Sequence, residues 1–309
     1  MYLLLGNISE PVLIFFLKNN TIVVCGLSKN CEDTIEINLN NLIELSKLLT
    51  VKNFSILIVD SSSDKTKELI SKKISKHNFI KLINQDNLDT RFKSRIEKIS
   101  YCRNICLQEI KNEYKNEKVL YIPLDLDINL FDITNVNQFT KILEEFDNNP
   151  NLDAMFPTSY PYYYDIFALR ASSWNGNYSQ IILEKIKKLI PFSSFLANYV
   201  FIFRKQWTLE KINSKNLKVS SAFGGAGIYK LDLQNSKDFK YDYSKKHTEI
   251  ISEHIYFNKH FKKLLIKNNW VIPAPIEHIY YKGLSKKSKL YYFFETLKSD
   301  FKKLATRLK

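Results

Sequence analysis

The sequence predicts an α/β fold: a mostly parallel sheet flanked by helices, followed by an amphipathic C-terminal helix. Three observations predict it. Short β-branched apolar runs alternate with stretches of helical spacing as far as residue 146, the pattern of successive βαβ units. Gly26, Asp60 and Asp125 close three of those runs, and the carboxyl ends of parallel strands are where such sheets place their ligand crevice. A chain of 309 residues, 45% hydrophobic and 14% aromatic, is long and apolar enough to bury one large core.

The elements follow in order. Residues 11–17 are apolar but far too short to span a bilayer, and read as a strand. Residues 21–27 are a β-branched run reaching Gly26, a buried first strand. Residues 35–49 have helical spacing; 54–59 form the next strand, and the polar loop 60–66 opens another helix. Residues 79–83 are a third strand, 95–111 a helix and 119–124 a fourth strand. Beyond residue 150 the pattern is less regular: a short strand at 154–157, an aromatic stretch at 160–174, an amphipathic segment at 179–190, a glycine loop within 220–229, a helix over 247–265 and a late strand at 270–273. With no internal repeat or long Pro/Gly/Ser linker, residues 1–283 read as one domain with halves 1–146 and 147–283, and 284–309 as an appended basic helix.

The formal net charge is +14. Lysine is spread along the whole chain and accompanies no nucleic-acid-binding signature, so nucleic acid is not an expected partner; an anionic substrate or an anionic membrane surface is. Cys25, Cys31, Cys102 and Cys106 form no Cys-x-x-Cys pair and lack a histidine at zinc spacing. They read as reduced, buried thiols, which together with the lack of a clear signal peptide points to the cytoplasm. The tail stripe Leu290, Phe294, Leu297, Phe301, Leu304 and Leu308 recurs in steps of four and three among lysines. It suits an in-plane membrane anchor, or equally a helix packed on the core or on a second subunit.

The run ending in Leu124 continues as Asp125-Leu126-Asp127. On an extended chain, residues two apart point to one side. Carboxylates held that close repel unless a cation or proton sits between them, and oxygen ligands favour a hard ion such as Mg²⁺ or Mn²⁺ that completes its shell with water and phosphate. The alternative is a turn residue or helix cap.

These elements together resemble GT-A-type, Rossmann-like glycosyltransferases. The strand and acidic loop Ile56-Leu57-Ile58-Val59-Asp60-Ser61-Ser62-Ser63-Asp64-Lys65-Thr66 and the pair Arg103-Asn104 carry the broad resemblance. Four stretches are similar, more narrowly, to the capsular-polysaccharide α-mannosyltransferase-like group: 124–127, 163–170, 222–229 and 253–258, within a similarity covering roughly residues 20–280.

The resemblance implies that Gly26 and Asp60 line the base and ribose pocket of a nucleotide-sugar, against the plainer readings of a turn and a helix cap. Arg103 pairs with the diphosphate, orients an acidic neighbour, or is a solvated helix charge. Of the aromatic residues Tyr162, Tyr163, Tyr164, Phe167 and Trp174, some are core and one or two form an acceptor platform. Asp165 and Arg170, charged among apolar neighbours, need partners: each other, or substrate. Gly224 and Gly225 let backbone approach the donor sugar or form a β-bulge. Glu253-His254 stands where many GT-A enzymes carry an acidic pair, which makes Glu253 and His254 candidates for acid/base work. The alternatives are a retaining reaction, in which Glu253 only orients sugar, and a helix-surface pair. A late histidine, His278, is a candidate third metal ligand beside Asp125 and Asp127.

The function expected is a hexose transfer from a GDP- or UDP-sugar to a glycan or lipid-linked acceptor in surface polysaccharide or glycan synthesis, with Mn²⁺ or Mg²⁺, by a protein that is cytoplasmic or peripheral on the membrane. A sugar-phosphate nucleotidyltransferase would carry a Gly-rich basic loop after its first strand, where this chain has Leu27-Ser28-Lys29-Asn30. A non-catalytic basic scaffold would bind glycan or nucleic acid without turnover.

Overall fold

Thr21–Ser28 (β1), buried at every residue but Leu27, lies inside an eight-stranded sheet. The computed structural model describes residues 15–17, 21–172, 174–190, 192–208, 215–235, 238–243, 251–275, 278, 290, 293–298 and 300–301. After β1 come Ile35–Leu48 (α1), Asn53–Asp60 (β2), Thr66–Ile74 (α2), Ile80–Asn84 (β3), Arg95–Glu113 (α3), Lys118–Asp125 (β4) and Val136–Asn148 (α4). The second half adds Ala154–Tyr160 (β5), Gly176–Leu189 (α5), Ser194–Asn198 (α6), Leu217–Val219 (β6), Ile228–Asp232 (β7), Glu253–Asn258 (α7) and Leu264–Pro273 (β8).

The strand order is β6-β8-β5-β7-β4-β1-β2-β3. The β4-β1-β2-β3 half is parallel throughout, as βαβ connections require. β7 then inserts antiparallel between β4 and β5, while β8 runs parallel to β5 and β6 antiparallel to β8. Alternation along the strands divides the core between the two sheet faces. Ile22, Val24, Ile56, Ile58, Leu120 and Ile122 pack with α1 and α4. Val23, Cys25, Leu57, Val59, Val119 and Tyr121 pack with α3 and with Tyr229 and Phe257. All four cysteines are free and buried.

The helix expected over 247–265 is corrected: residues 247–250 lie outside the described residues, and among the described ones only Glu253–Asn258 is helical, while Leu264 already belongs to a ten-residue strand. Pairing with β5 on one side and β6 on the other satisfies that backbone in extended form, which overrides helical spacing. Of the N-terminal strand, Phe15–Phe16 is seen, paired parallel with Leu49–Thr50. In the tail, residues 290, 293–298 and 300–301 are helical; Leu304 and Leu308 lie outside the described residues. Among the described residues no helix is long and apolar enough to cross a membrane.

Candidate active site

Asp125 is the last residue of β4, and Leu126 and Asp127 already form a turn. The two carboxylates are therefore not presented by one extended strand, as the spacing predicts. Leu126 is what fixes them. Its N–H donates to the Leu27 carbonyl at 3.1 Å, and its own carbonyl accepts from Thr34 Oγ1 at 2.6 Å and Asn38 Nδ2 at 3.1 Å. Its side chain is buried over Gly26, where a Cβ would stand 2.3 Å from Leu126 Cδ1. Gly26 thus makes room for the middle residue of the acidic triplet and lines neither of the cavities described below.

The glycine loop pins the same strand end. Gly225, at φ 87°, accepts from the Asp125 N–H at 2.8 Å; a Cβ there would meet Tyr164 Oη at 2.8 Å. The N–H of Gly224 donates to Asp165 Oδ2 at 2.9 Å, and Asp165 Oδ1 accepts from the Ala168 N–H at 3.2 Å. Asp165 thereby orders the loop through its carboxylate. Burial pushes its pKa up, and the two backbone bonds pull the other way. Arg170 Nη1 donates to the carbonyls of Phe167 and Leu169.

Across from this loop, α3 brings Arg103 to the strand end. Its Nη2 donates to Asp125 Oδ1 at 2.8 Å and its Nε to Glu253 Oε1 at 3.1 Å, with the guanidinium carbon 4.6 Å from the Phe223 ring centroid. Burial opposes the arginine's charge, but Asp125, Tyr241 and Glu253 hold its pKa well above the usual value. Burial raises the Glu253 pKa, with Arg103 opposing. His254 stacks on Phe223 at a centroid distance of 3.7 Å. Its Nε2 lies 3.3 Å from Glu253 Oε1 without hydrogen-bond alignment. Burial and the neighbouring Arg103 push its pKa well below the histidine range, so the ring is neutral.

Two cavities open on this strand end. The first, about 310 Å³, is walled by Leu27, Val59, Leu88 and Cys102 and carries Ser28, Lys29 and Lys98. The second, about 400 Å³, holds Tyr164, Asp165, Phe223, Glu253, His254 and His278 together with Lys187 and Asn198. Arg95, Ile99, Asp125 and Asp127 line both. Asp60 lines neither: it is fully buried and accepts from the Ser28 and Ser62 hydroxyls, each at 2.6 Å, and from the Ser62 N–H. The expected direct contact of Asp60 with a ligand is thus replaced by support of Ser28, which does face the first cavity.

Arg95, Lys98 and Lys187 line these cavities and were not singled out by the sequence reading. The signal for Arg95 was present: Ser94-x-x-Glu97 is a capping-box pattern, and the box forms, which sets Arg95 at the first turn of α3. Arg103, the basic residue singled out from the sequence, orients acidic neighbours, one of the roles expected of it: its guanidinium holds Asp125 and Glu253.

Asp125, Asp127 and His278 line one cavity, and two carboxylates with an imidazole are a donor set that Mn²⁺ or Mg²⁺ accepts. Among the described residues they are not drawn into a three-ligand cluster, so phosphate and water would complete such a shell. His278 stacks on Tyr164 at 5.9 Å, with its carbonyl accepting from Gln206.

A parallel half-sheet joined to a mixed one carries an acidic turn between two cavities, and the matching family model makes the chain a glycosyltransferase. The chain belongs to the family described as cryptococcal mannosyltransferase 1, whose profile matches residues 21–260. Among solved structures, the mannosyltransferase PcManGT from Pyrobaculum calidifontis, in complex with GDP-Man and Mn²⁺, is 13% identical over 86% of this chain and 59% of its own, with a TM-score of 0.46. S. aureus TarS 1–349 is 16% identical over 82% of this chain and 60% of its own, with a TM-score of 0.42. Glucosyl-3-phosphoglycerate synthase from Mycobacterium tuberculosis, with Mn²⁺, UDP and glucosyl-3-phosphoglycerate, is 10% identical over 91% of this chain and 78% of its own, with a TM-score of 0.40. The chain therefore spans about 60% of the length of the first two. A search of curated proteins finds no match.

Proposed function

We propose that this protein transfers a hexose from a GDP- or UDP-sugar to a hydroxyl of a glycan or lipid-linked acceptor, with Mn²⁺ or Mg²⁺ as cofactor, in surface glycan synthesis at the cytoplasmic face of a membrane. The observation that carries the reading is the pair of cavities sharing Arg95, Ile99, Asp125 and Asp127. A transfer between two substrates needs two adjoining sites with the breaking bond where they meet. The first cavity combines apolar walls for a base with Lys29, Arg95 and Lys98 for phosphate oxygens. Lining the second are buried polar atoms with no hydrogen-bond partner among the described residues, Arg103 Nη1, His254 Nδ1 and Nε2, and Asn198 Oδ1. They match the mixed donors and acceptors of a sugar's hydroxyls, and Tyr164, Phe167 and Phe223 offer aromatic faces for its C–H side.

The residues then divide the work. Asp125, Asp127 and His278 would hold the metal, which when bound neutralises the diphosphate leaving group. Arg95 grips the diphosphate at the junction, and Arg103 orients Asp125 and Glu253 rather than touching phosphate. Glu253 takes the proton of the acceptor hydroxyl as its oxygen bonds to the anomeric carbon and the bond to the donor phosphate breaks. Neutral His254 and Asp165 shape the acceptor side. The anomer of the product, read by NMR, separates this inverting course from a retaining one in which the donor phosphate takes the proton.

The test is a thermal-shift panel of UDP-, GDP-, CMP- and dTDP-sugars with Mn²⁺. A ligand at about a hundred times its Kd stabilises by about 2.7 kcal/mol, a rise of a few degrees at this size. The GDP- and UDP-sugars found or implied in the solved relatives are the expected responders; a flat response to all four rejects the reading.

A further inference from the structure

Nine large apolar side chains stand exposed in two segments that meet. Leu189 (78% exposed), Ile190, Phe192, Leu196 (65%) and Val200 lie on the hairpin formed by α5 and α6 and the π-helical turn Tyr199–Phe203 that follows. Leu290, Phe293, Phe294 and Phe301 lie on the tail. Three contacts join the segments: Phe192 with Phe301 at a centroid distance of 4.7 Å, Phe195 with Phe293 at 5.2 Å, and the Asp300 carboxylate with the Ser194 N–H and hydroxyl. Asp300, 9% exposed, thereby caps the start of α6 from another part of the chain. Of the tail stripe, Leu290, Phe294 and Phe301 are each more than half exposed.

We propose that the α5–α6 hairpin and the tail together form a face that rests on an anionic lipid surface. Nine exposed large apolar side chains on two segments in contact mark a docking site rather than ordinary surface, and their charged neighbours choose the occupant. Lys185 and Lys298 are exposed on these two segments, and Arg204 and Lys205 on the short helix that directly follows the first. Among the described residues the acidic side chains beside them are Glu184, partly buried, Glu295, which is tied to Lys298 at 3.3 Å, and Asp300, buried against Ser194. A second copy of this chain would bring like charges together, at +14 each. Anionic headgroups complement the cations while the acyl boundary takes the apolar side chains. The hairpin's other residues, Lys187, Asn198 and Ile202, line the 400 Å³ cavity. Docking therefore sets the acceptor cavity against the bilayer, which deepens the proposed use of a lipid-linked acceptor.

The experiment is flotation of the full chain with vesicles of phosphatidylcholine alone or containing about one-third phosphatidylglycerol. It is run at low and high salt, for the wild type and for Leu189→Glu combined with Leu196→Glu. The wild type is expected to float with anionic vesicles, less at high salt and little with phosphatidylcholine. The double variant should lose at least about tenfold in partitioning, with its melting temperature and its response to nucleotide-sugars unchanged. The proposal is overturned if the wild type floats with neither vesicle, if the double variant floats as well as the wild type, or if the wild type sediments as a dimer that the substitutions dissolve. Donor binding is read separately and in solution, so its failure would count against the transferase reading and not against the lipid face.

Discussion

Arg103 and Asp125 meet at 2.8 Å, and the same guanidinium holds Glu253 at 3.1 Å, so one buried arginine ties the end of β4 to the start of α7. The three residues are far apart in sequence, and the charge they share is nearly shut off from solvent at Arg103 and Glu253. A buried pair is costly to break from one side, because the remaining charge loses both water and partner.

Arg103→Ala is accordingly expected to destabilise the protein by about 3 kcal/mol and to make Glu253 hold its proton to still higher pH. Combining it with Glu253→Gln should recover much of that loss, since no buried charge is then stranded. Urea midpoints of the single and double variants check this, and an unchanged midpoint for the single variant would show that the pair carries no stability.

Asp127 is exposed at the turn, and the half-buried Asp125 accepts from Arg103. Asp127→Asn should abolish Mn²⁺-dependent donor hydrolysis with no fall in melting temperature. Asp125→Asn should cause the same loss and a lower melting temperature, because Arg103 keeps only one ionic partner. Turnover close to wild type in either variant removes that carboxylate from the metal site.

The guanidinium of Arg95 makes no hydrogen bond or ion pair with the described residues, yet it lines both cavities. Losing a charge-assisted hydrogen bond costs roughly 1.5–3 kcal/mol. Arg95→Ala should therefore weaken a nucleoside diphosphate with Mn²⁺ by about ten- to a hundredfold in calorimetry, while the bare nucleoside binds as before. Equal weakening of both would place Arg95 at the base instead.

The raised pKa of Glu253 has two consequences of known sign. As a base it works deprotonated, so transfer should fall as pH drops through a value above the usual glutamate range. Glu253→Gln should remove that acid limb and lower the rate by at least about a hundredfold. In stability the native state holds this proton more tightly than the unfolded chain. The contribution is therefore fully present below the unfolded pKa and is lost as pH rises through the folded one. The Gln variant should lose that slope in a series of melting curves; a variant with wild-type rate and slope would leave Glu253 as packing.

The sequence by itself determined the alternating elements of the first half and the acidic triplet, because both are written in local sequence: the continuous apolar runs of β1, β2 and β4 between stretches of helical spacing, and the short Asp125–Asp127 spacing. It also carried enough joint motif for the family to be named from four separated stretches. What only the tertiary structure decided is which of several eligible residues turns toward the cavities. Arg95 and Arg103 both lie on α3, eight positions apart, and nothing local tells which is held by carboxylates from β4 and α7. Asp60 likewise closes a strand as expected, but the Ser28 and Ser62 hydroxyls take up its carboxylate. Leu264–Pro273 is extended because β5 and β6 flank it, although its approach reads as helix. Side-chain partnership and strand pairing are long-range facts: a charge is drawn to whichever opposite charge or donor the fold buries beside it, and a backbone takes the form its neighbours can satisfy.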